Sequence, residues 1–346
     1  MLECAKTGDR SGAAWQKVLQ PFTNLEFVVS DAAKGIAGGV QAAQRARGPA
    51  GVPVQQGLDV FHTAQEAQRV LAGPWRQAEA AWDEAVAAST RVAAAKAEGR
   101  DARGAAAQER EAWIRAERLL AEVEKEEAAW QRIRTALLVF RAEGTLNERS
   151  WAEAEIGAAL PALSRPAWKK VRNVLTDRRC LAFVDRLHQR LVEAVPNAAL
   201  RQACVQRWWL RHQQPARAGQ AVSDALHELL DERIRNGPLD ATEQAAYEGV
   251  AAILRTTVRA SSAVEGINSV LRMQQGRHRK MTQGLLDLKR LYWNCRRLQT
   301  GKRRGHCPYQ LLGAKLPSTD FWTLLQMPQA TMDELTQDPS VQRLSE

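Results

Sequence analysis

Between about residue 63 and residue 260 the sequence carries no strand pattern, and this feature limits the possible folds more than any other. Two Ala/Glu/Arg-rich stretches, 64–98 and 105–142, are separated by a Gly-bearing segment at 99–104 and predict a helical hairpin. Four tryptophans are expected to pack between its arms: Trp75, Trp82, Trp113 and Trp130. Further helices, divided by Pro and Gly, are predicted around 148–159, 166–175, 178–194, 197–213, 217–236 and 241–259.

Three more tryptophans, Trp168, Trp208 and Trp209, lie within these later helices. An exposed Trp in a helical module can stack on a nucleic-acid base. Packing between helices is the favoured interpretation for all three.

The strand signals precede the helical block. A short helix at 11–20 ends at Pro21, a compact apolar run at 25–29 predicts a buried strand, and 32–40 predicts a helix. A basic loop is expected at 45–53, followed by a second short strand at 54–58. Asp31 follows the first strand, and Asp59 follows the second with His62 three residues on.

Open α/β sheets place ligand and metal groups at the carboxyl ends of their strands. Asp31 therefore has two interpretations, a ligand or the N-cap of the next helix, and the sequence does not separate them. For His62 a hydrogen-bonded structural histidine and a functional one are equally supported.

A second polar group is predicted on a helix at 261–272. At about 100° per residue, Glu265, Asn268 and Arg272 fall within roughly 60° of one another, with an apolar row on a different side. Ser262 and Glu265 also have the spacing of a capping box, in which Glu265 would only satisfy backbone donors.

The excess positive charge of the chain lies in one segment of 33 residues. The net charge is +10, and residues 272–304 hold eleven Lys or Arg against one acid, Asp287. Such a block beside a polar helix row suits a polyanion. Its bases are Arg272, Arg277, Arg279, Lys280, Lys289, Arg290, Arg296, Arg297, Lys302, Arg303 and Arg304.

The cysteine and hydropathy patterns indicate a soluble, intracellular protein. Five scattered cysteines without a C-x-x-C argue for a reducing compartment. A zinc site built from Cys295, Cys307, His306 and His278 would match no standard ligand spacing. No run of 18 apolar residues occurs, so no membrane partner is expected.

Four segments together resemble a bacterial insertion-sequence DDE transposase. They are LEFVVSDAAKGIAGG at 25–39, LDVFH at 58–62, SSAVEGINSVLR at 261–272, and the segment 294–313 with its GKRRGHCPYQLLG ending. The resemblance implies an α/β RNase-H-like core, incomplete at its N-terminus and interrupted by a large all-α insertion, in a chain that is mostly helical. The implied domains are 1–63 and 261–313 for the core, 64–260 for the insertion with its hairpin at 64–142, and 314–346 for a tail.

The resemblance also implies roles for the acids. Asp31 would be the second acid of the catalytic triad and Glu265 the third, both ligands of two Mg²⁺ or Mn²⁺ ions that promote phosphoryl transfer. Asn268 and Arg272 would position Glu265 or contact a DNA phosphate, and Asp59 and His62 would lie next to the pocket. The basic block from Arg277 to Arg304 would bind the DNA backbone.

One part of the family pattern is missing from the sequence. The first acid of the triad belongs on a strand upstream of the helix at 11–20, and Asp9 is a poor substitute for it. The expectation is therefore a truncated copy, lacking its N-terminal DNA-binding domain, with little or no strand-transfer activity. The implied partner is DNA, as element ends and target, in the bacterial cytoplasm at the nucleoid, and a homodimer is left open.

Two other classes of protein fit parts of the pattern. One is a non-catalytic, basic, helical nucleic-acid-binding protein whose acids are caps and surface charges. The other is a coiled-coil assembly factor, suggested by 64–142, which would show no salt-dependent DNA binding.

Overall fold

The computed structural model describes residues 9–23, 25–48, 51–212, 239–257, 282–299, 304–311, 317–318 and 320–328. The chain is mostly helical, as predicted. It divides into two compact units, one of Met1–Gln56 with Ser261–Glu346 and the other of Gly57–Ala260. None of the described helices is long and apolar enough to cross a bilayer.

The first unit begins with helix α1 (Gly12–Leu19), strand β1 (Phe27–Ser30) and helix α2 (Lys34–Arg47). The Ser11 hydroxyl caps α1 by accepting from the Ala14 N–H (3.2 Å). Strand β2 (Gln55–Leu58) pairs with β1 in a two-stranded sheet, and the Gln55 N–H donates to the Glu26 carbonyl (2.8 Å). The helix and both strands predicted before residue 60 are confirmed, with ends shifted by one or two residues.

The predicted loop at 45–53 is wrong in its first part, because α2 continues to Arg47. The Arg47 guanidinium holds the neighbouring chain by donating to the carbonyls of Leu25 (2.7 Å), Val52 (3.1 Å) and Phe22. These long-range bonds extend the helix past the point where the Gly/Pro-bearing sequence suggested a loop. The turn starts instead at Gly48, whose φ of 70° is in the left-handed region that glycine adopts without strain.

Glycine permits the close approach of α1 and α2. A Cβ on Gly39 would collide with the Trp15 Cβ and lie 3.1 Å from the Gly12 carbonyl oxygen. The preceding residue, Gly38, has room for a side chain, since a Cβ there would meet only the Gly12 Cα at 3.7 Å.

Gly38 and Gly39 are adjacent but differ in the space around them. The same substitution at each position therefore tests the close contact at Gly39. Gly39→Ala is expected to destabilise the packing of α1 on α2 by about 1–3 kcal/mol, because the methyl group forces the helices apart. Gly38→Ala is expected to stabilise it by about 0.5–1 kcal/mol, because it lowers the entropy of the unfolded chain inside a helix. Amide hydrogen exchange of the two helices measures both changes, and equal protection in the two variants would refute the tight contact at Gly39.

The second unit is dominated by the helical hairpin of α3 (Val60–Ala97) and α4 (Arg103–Ala136). From Ala78 to Ala95 the buried side chains of α3 recur at alternating steps of three and four residues, and most of them are alanines. This spacing is the seam of a coiled coil, and its small side chains permit a short distance between the helix axes. The predicted hairpin is confirmed.

The second arm is shorter than the predicted 105–142. It ends at Ala136, because the buried Asn147 side chain donates to the carbonyls of Ala136 (2.5 Å) and Leu138 (3.0 Å). The chain then turns back through a β-bridge between Phe140 and Leu146. A side-chain amide eleven residues away therefore ends α4.

Three of the four predicted tryptophans join the arms. The Trp82 and Trp113 rings meet edge to face at 5.0 Å, the Trp113 Nε1–H donates to Ser89 Oγ (3.0 Å), and the Trp75 Nε1–H donates to Glu127 Oε2 (2.9 Å). Trp130 is buried and its ring lies 6.2 Å from that of Trp168, outside the hairpin.

The remaining helices of this unit are α5 (Arg149–Ala159), α6 (Lys169–Leu175), α7 (Ala182–Ala194), α8 (Ala198–His212) and α9 (Ala241–Thr256), with short 3-10 turns at Leu160–Ala162, Pro166–Trp168 and Arg178–Leu181. Helices α7, α8 and α9 share a core that contains Leu187, Trp209 and Val250. Trp208 stacks on Phe140 beside this core (5.5 Å), so the predicted packing role of Trp168, Trp208 and Trp209 is confirmed. The helix predicted at 217–236 lies outside the described residues.

The C-terminal part of the first unit contains α10 (Gln283–Cys295), α11 (Pro308–Leu311) and α12 (Phe321–Leu325). Thr282 caps α10 by accepting from the Leu285 N–H (3.3 Å). The helices predicted near 282–297 and 321–325 are confirmed. The rest of the predicted tail, 329–346, lies outside the described residues.

Candidate functional site

Asp31 lies directly after β1, where the sequence places a ligand-bearing acid, and its side chain is exposed. Helix α2 starts three residues later, and its N-cap is Ala33. The Asp31 Oδ1 accepts from the Ala33 N–H (3.2 Å) in a tight turn before the helix. Asp31 is therefore not the N-cap of α2, although it binds a backbone N–H directly before that helix, and a ligand role for it stays a prediction.

The strand end that carries Asp31 is held in place by side chains. The Ser30 hydroxyl is buried; it donates to the Asp31 carbonyl (3.0 Å) and accepts from the Gln56 amide on the neighbouring strand (2.8 Å). This pair fixes the backbone at residue 31 while leaving its carboxylate toward solvent. A fixed, exposed carboxylate at a strand end is suited to hold a hard cation such as Mg²⁺.

Asp59 has a structural task. It follows β2, is almost fully buried, and caps α3 by accepting from the N–H groups of Phe61 (2.7 Å) and His62 (3.3 Å). The His62 Nε2 lies 3.8 Å from Asp59 Oδ2, within the first turn of the helix. The sequence expected an acid and a histidine side by side at this strand end, and a role for either in ligand binding stays a prediction.

Several residues of the predicted site lie outside the described part of the chain. They are Glu265, Asn268, Arg272, Arg277, Arg279, Lys280, Lys302 and Arg303. Among the described residues, no group of three or more His, Cys, Asp or Glu side chains is arranged to hold a metal ion. Asp31 alone of the described acids has the position and exposure expected for the predicted ion site.

The described part of the basic block surrounds the end of α10. Arg296, Arg297 and Arg304 are exposed, while Lys289 and Arg290 on the helix itself are half-buried. Two backbone bonds close the following loop, from the Leu298 N–H to the His306 carbonyl (2.9 Å) and from the Gly305 N–H to the Leu298 carbonyl (2.8 Å). Arg297 precedes Leu298 and Arg304 precedes Gly305, so these bonds bring the two arginines to one stretch of surface.

Aromatic rings accompany these guanidinium groups. The Arg296 guanidinium lies over the Trp293 ring, 5.0 Å from its centre. On the same helix Tyr292 is exposed and meets Phe321 of α12 edge to face (5.4 Å), and Phe321 in turn meets Trp322 (5.0 Å). Trp322 is 65% exposed. Exposed arginines among exposed aromatic rings can bind phosphates and stack on bases, which is the usual composition of a nucleic-acid surface.

Three buried side chains lie beneath this surface. Cys295, Asn294 and Cys307 are buried where α10 meets the segment before α11. Burial raises the pKa of the Cys295 thiol to about 11, with a smaller contribution from Cys307. Burial also raises the pKa of the Tyr309 hydroxyl. Burial therefore favours the protonated form of the Cys295 thiol, which packs as a small apolar side chain.

Sequence reasoning missed two parts of this arrangement. Arg47 was predicted to lie in a solvated loop, yet its guanidinium holds the segment before β1. Phe321 and Trp322 were assigned only to a short terminal helix, yet they lie against Tyr292 of α10. Neither contact has a signal in the sequence, because each joins segments more than twenty residues apart.

Comparison of the chain with protein-family models, curated proteins and solved structures finds no match.

Proposed function

We propose that this chain is a DDE-type DNA transposase, in which Asp31 and Glu265 hold divalent ions and the C-terminal basic segment binds DNA. The observation that supports the proposal most is the position of Asp31: exposed, fixed at the end of β1, and not used to cap α2.

The finer architecture in this proposal is an RNase-H-like core interrupted by the helices of the second unit. In that arrangement β1 and β2 are two strands of the core sheet, and the segment around Glu265 returns to it after the helical unit. The division of the chain is compatible with this, since residues 1–56 and 261–346 form one compact unit.

The residues that would hold Mg²⁺ or Mn²⁺ are Asp31 and Glu265. When bound, a pair of such ions clamps the attacking and leaving oxygens of a phosphodiester during in-line displacement. The chain's own contribution is to keep the Asp31 carboxylate in place through Ser30 and Gln56, and to hold the DNA backbone through Arg296, Arg297 and Arg304.

The second candidate is a non-catalytic nucleic-acid-binding protein. It is supported by the surface around α10, where Arg296 and the exposed Trp322 occur together without any described acid cluster. Asp31→Asn and Glu265→Gln distinguish the two candidates. In a transposase both changes remove divalent-ion binding and leave DNA affinity nearly intact, whereas in a binding protein neither change affects ion binding.

Both candidate functions require DNA to bind at the surface around α10. Removing positive charge from that surface tests this requirement. The triple variant of Arg296, Arg297 and Arg304 to Ala is expected to lower affinity for double-stranded DNA at least about tenfold at low salt, and to make the slope of log K against log salt less steep by about 3. Fluorescence anisotropy with a labelled duplex at several salt concentrations measures both quantities.

The matched control removes the same charge from the second unit, by changing the exposed Arg69, Arg118 and Arg134 to Ala. This control is expected to keep the wild-type affinity and slope. Equal losses in the two triple variants would show that DNA responds only to net charge, and would remove the surface around α10 from both candidate functions.

A further inference from the structure

One side of the hairpin in the second unit is apolar and exposed. Trp82 and Val86, four residues apart on α3, are 41% and 47% exposed. The contacts of Trp113 with Trp82 and Ser89, and of Trp75 with Glu127, show that this side is formed by both arms. We call it the apolar flank, defined by Trp75, Trp82, Val86, Trp113 and Leu120.

The opposite side of the same coil is polar. There Glu84 of α3 and Arg115 of α4 form an exposed ion pair across the seam (3.2 Å). Ala87, the residue after Val86, lies three residues beyond Glu84 and thus on this polar side. The exposed tryptophan and valine are therefore concentrated on one side of the coil.

Charges on the apolar flank are segregated along its length. On α3 the seven-residue repeats through Trp82 and Val86 contain Lys96 and Glu79. On α4 the repeat through Glu117, which lies four residues from Trp113 and three from Leu120, contains Arg103, Arg110 and Glu124. Toward the base of the hairpin these charged side chains are acidic, and toward its tip they are basic, all of them exposed. The acidic end consists of Glu79, Glu117 and Glu124, and the basic end of Lys96, Arg103 and Arg110.

The register of the arms shows that the two ends are separate. The bonds from Trp75 to Glu127 and from Trp113 to Ser89 fix the same register at two places. In this register Glu117 and Glu124 lie beside residues 78–85 of α3, whereas Arg103 and Arg110 lie level with 92–99. The apolar side chains of Trp82 and Val86 lie where the acidic end gives way to the basic end.

We propose that the apolar flank binds a second copy of this chain, in an antiparallel arrangement with the two-fold axis level with residue 88, two residues beyond Val86. In that arrangement the acidic end of each copy faces the basic end of the other. Glu79 then lies opposite Lys96, and Glu117 opposite Arg110 of the second copy. A parallel arrangement would place like charges together and is disfavoured for that reason.

The stabilising contribution comes mainly from the centre of the interface. Trp82 and Val86 are exposed in the single chain, and their burial against the flank of a second copy removes apolar surface from water. The charged pairs at the two ends fix direction and register and contribute little to affinity, because they stay at the rim.

Sedimentation velocity of the full chain tests the arrangement. The wild-type chain is expected to have the mass of two copies, and Val86→Glu is expected to raise the dimer dissociation constant by at least about tenfold. Ala87→Glu, with the same new charge one residue away, is expected to leave the dimer unchanged. Circular dichroism checks that both variants keep their helices, which is expected because both positions are exposed.

A charge exchange tests the antiparallel direction. Glu79→Lys and Lys96→Glu are each expected to weaken the dimer, and the double variant to restore it, because the charges are exchanged between opposing ends. A wild-type chain with the mass of one copy at about 100 µM, where interfaces of ordinary affinity are saturated, would overturn the proposal. So would a dimer that Val86→Glu weakens no more than Ala87→Glu, or one that the double variant fails to restore.

Discussion

Trp168→Ala is expected to destabilise the second unit by about 3–5 kcal/mol, a large part of the stability of an ordinary domain. Trp168 is 0% exposed and its ring lies beside that of Trp130 at the base of the hairpin. Its Nε1–H also donates to the buried Glu126 carboxylate (2.9 Å), which forms an ion pair with Arg165. The substitution leaves a cavity and removes one donor from a buried acid, and both effects have the same sign.

Trp322→Ala is the control for this substitution. It removes the same side chain from a site where the ring is 65% exposed, so the helices of the second unit are expected to keep their stability. Amide hydrogen exchange of α4 and α6 in both variants gives the comparison. Protection in Trp168→Ala equal to that in Trp322→Ala would contradict the placement of Trp168 in the core.

Local composition was enough to predict the hairpin. The Ala/Glu/Arg-rich content of both arms is a local property of the sequence, and so is the Gly-bearing turn between them. The partner of Trp130 was not predictable in the same way. The four hairpin tryptophans look alike in the sequence, yet Trp130 packs on Trp168, which belongs to the later helices.

Some helix ends are determined by neighbouring residues, and others by residues distant in the sequence. The cap of α1 at Ser11 follows from neighbouring residues, as a local capping pattern does. The end of α4 depends on Asn147 and the extension of α2 on Arg47, and both act through carbonyls distant in the sequence. A pattern read in short windows cannot include such contacts.

Asp31 illustrates what the structure adds at the candidate site. Its place at the end of a strand was predicted from the apolar run before it and is confirmed. Its availability was not predictable, because an Asp before a helix has the same sequence pattern whether it caps or not. The start of α2 at Lys34 shows that Asp31 does not cap this helix, and its role as an ion ligand stays a prediction.

In the proposed site, Asp31 and Glu265, far apart in the sequence, bind the same pair of divalent ions. Fe²⁺ can occupy oxygen sites of this kind, and with ascorbate and peroxide it releases hydroxyl radicals that cut the backbone close to the ion. Asp31→Asn is expected to abolish this cutting, because an amide is a much poorer ligand than a carboxylate for a hard cation. Asp83→Asn, at an exposed position of α3, serves as the control that keeps it.

Mapping of the fragments by mass spectrometry shows whether the two acids share the ions. We expect two clusters of cuts, around residue 31 and around residue 265, both suppressed by excess Mg²⁺ and both absent in Asp31→Asn. Cuts around residue 31 without cuts around residue 265, or cuts at 265 that persist in Asp31→Asn, would show that the two carboxylates do not share an ion site.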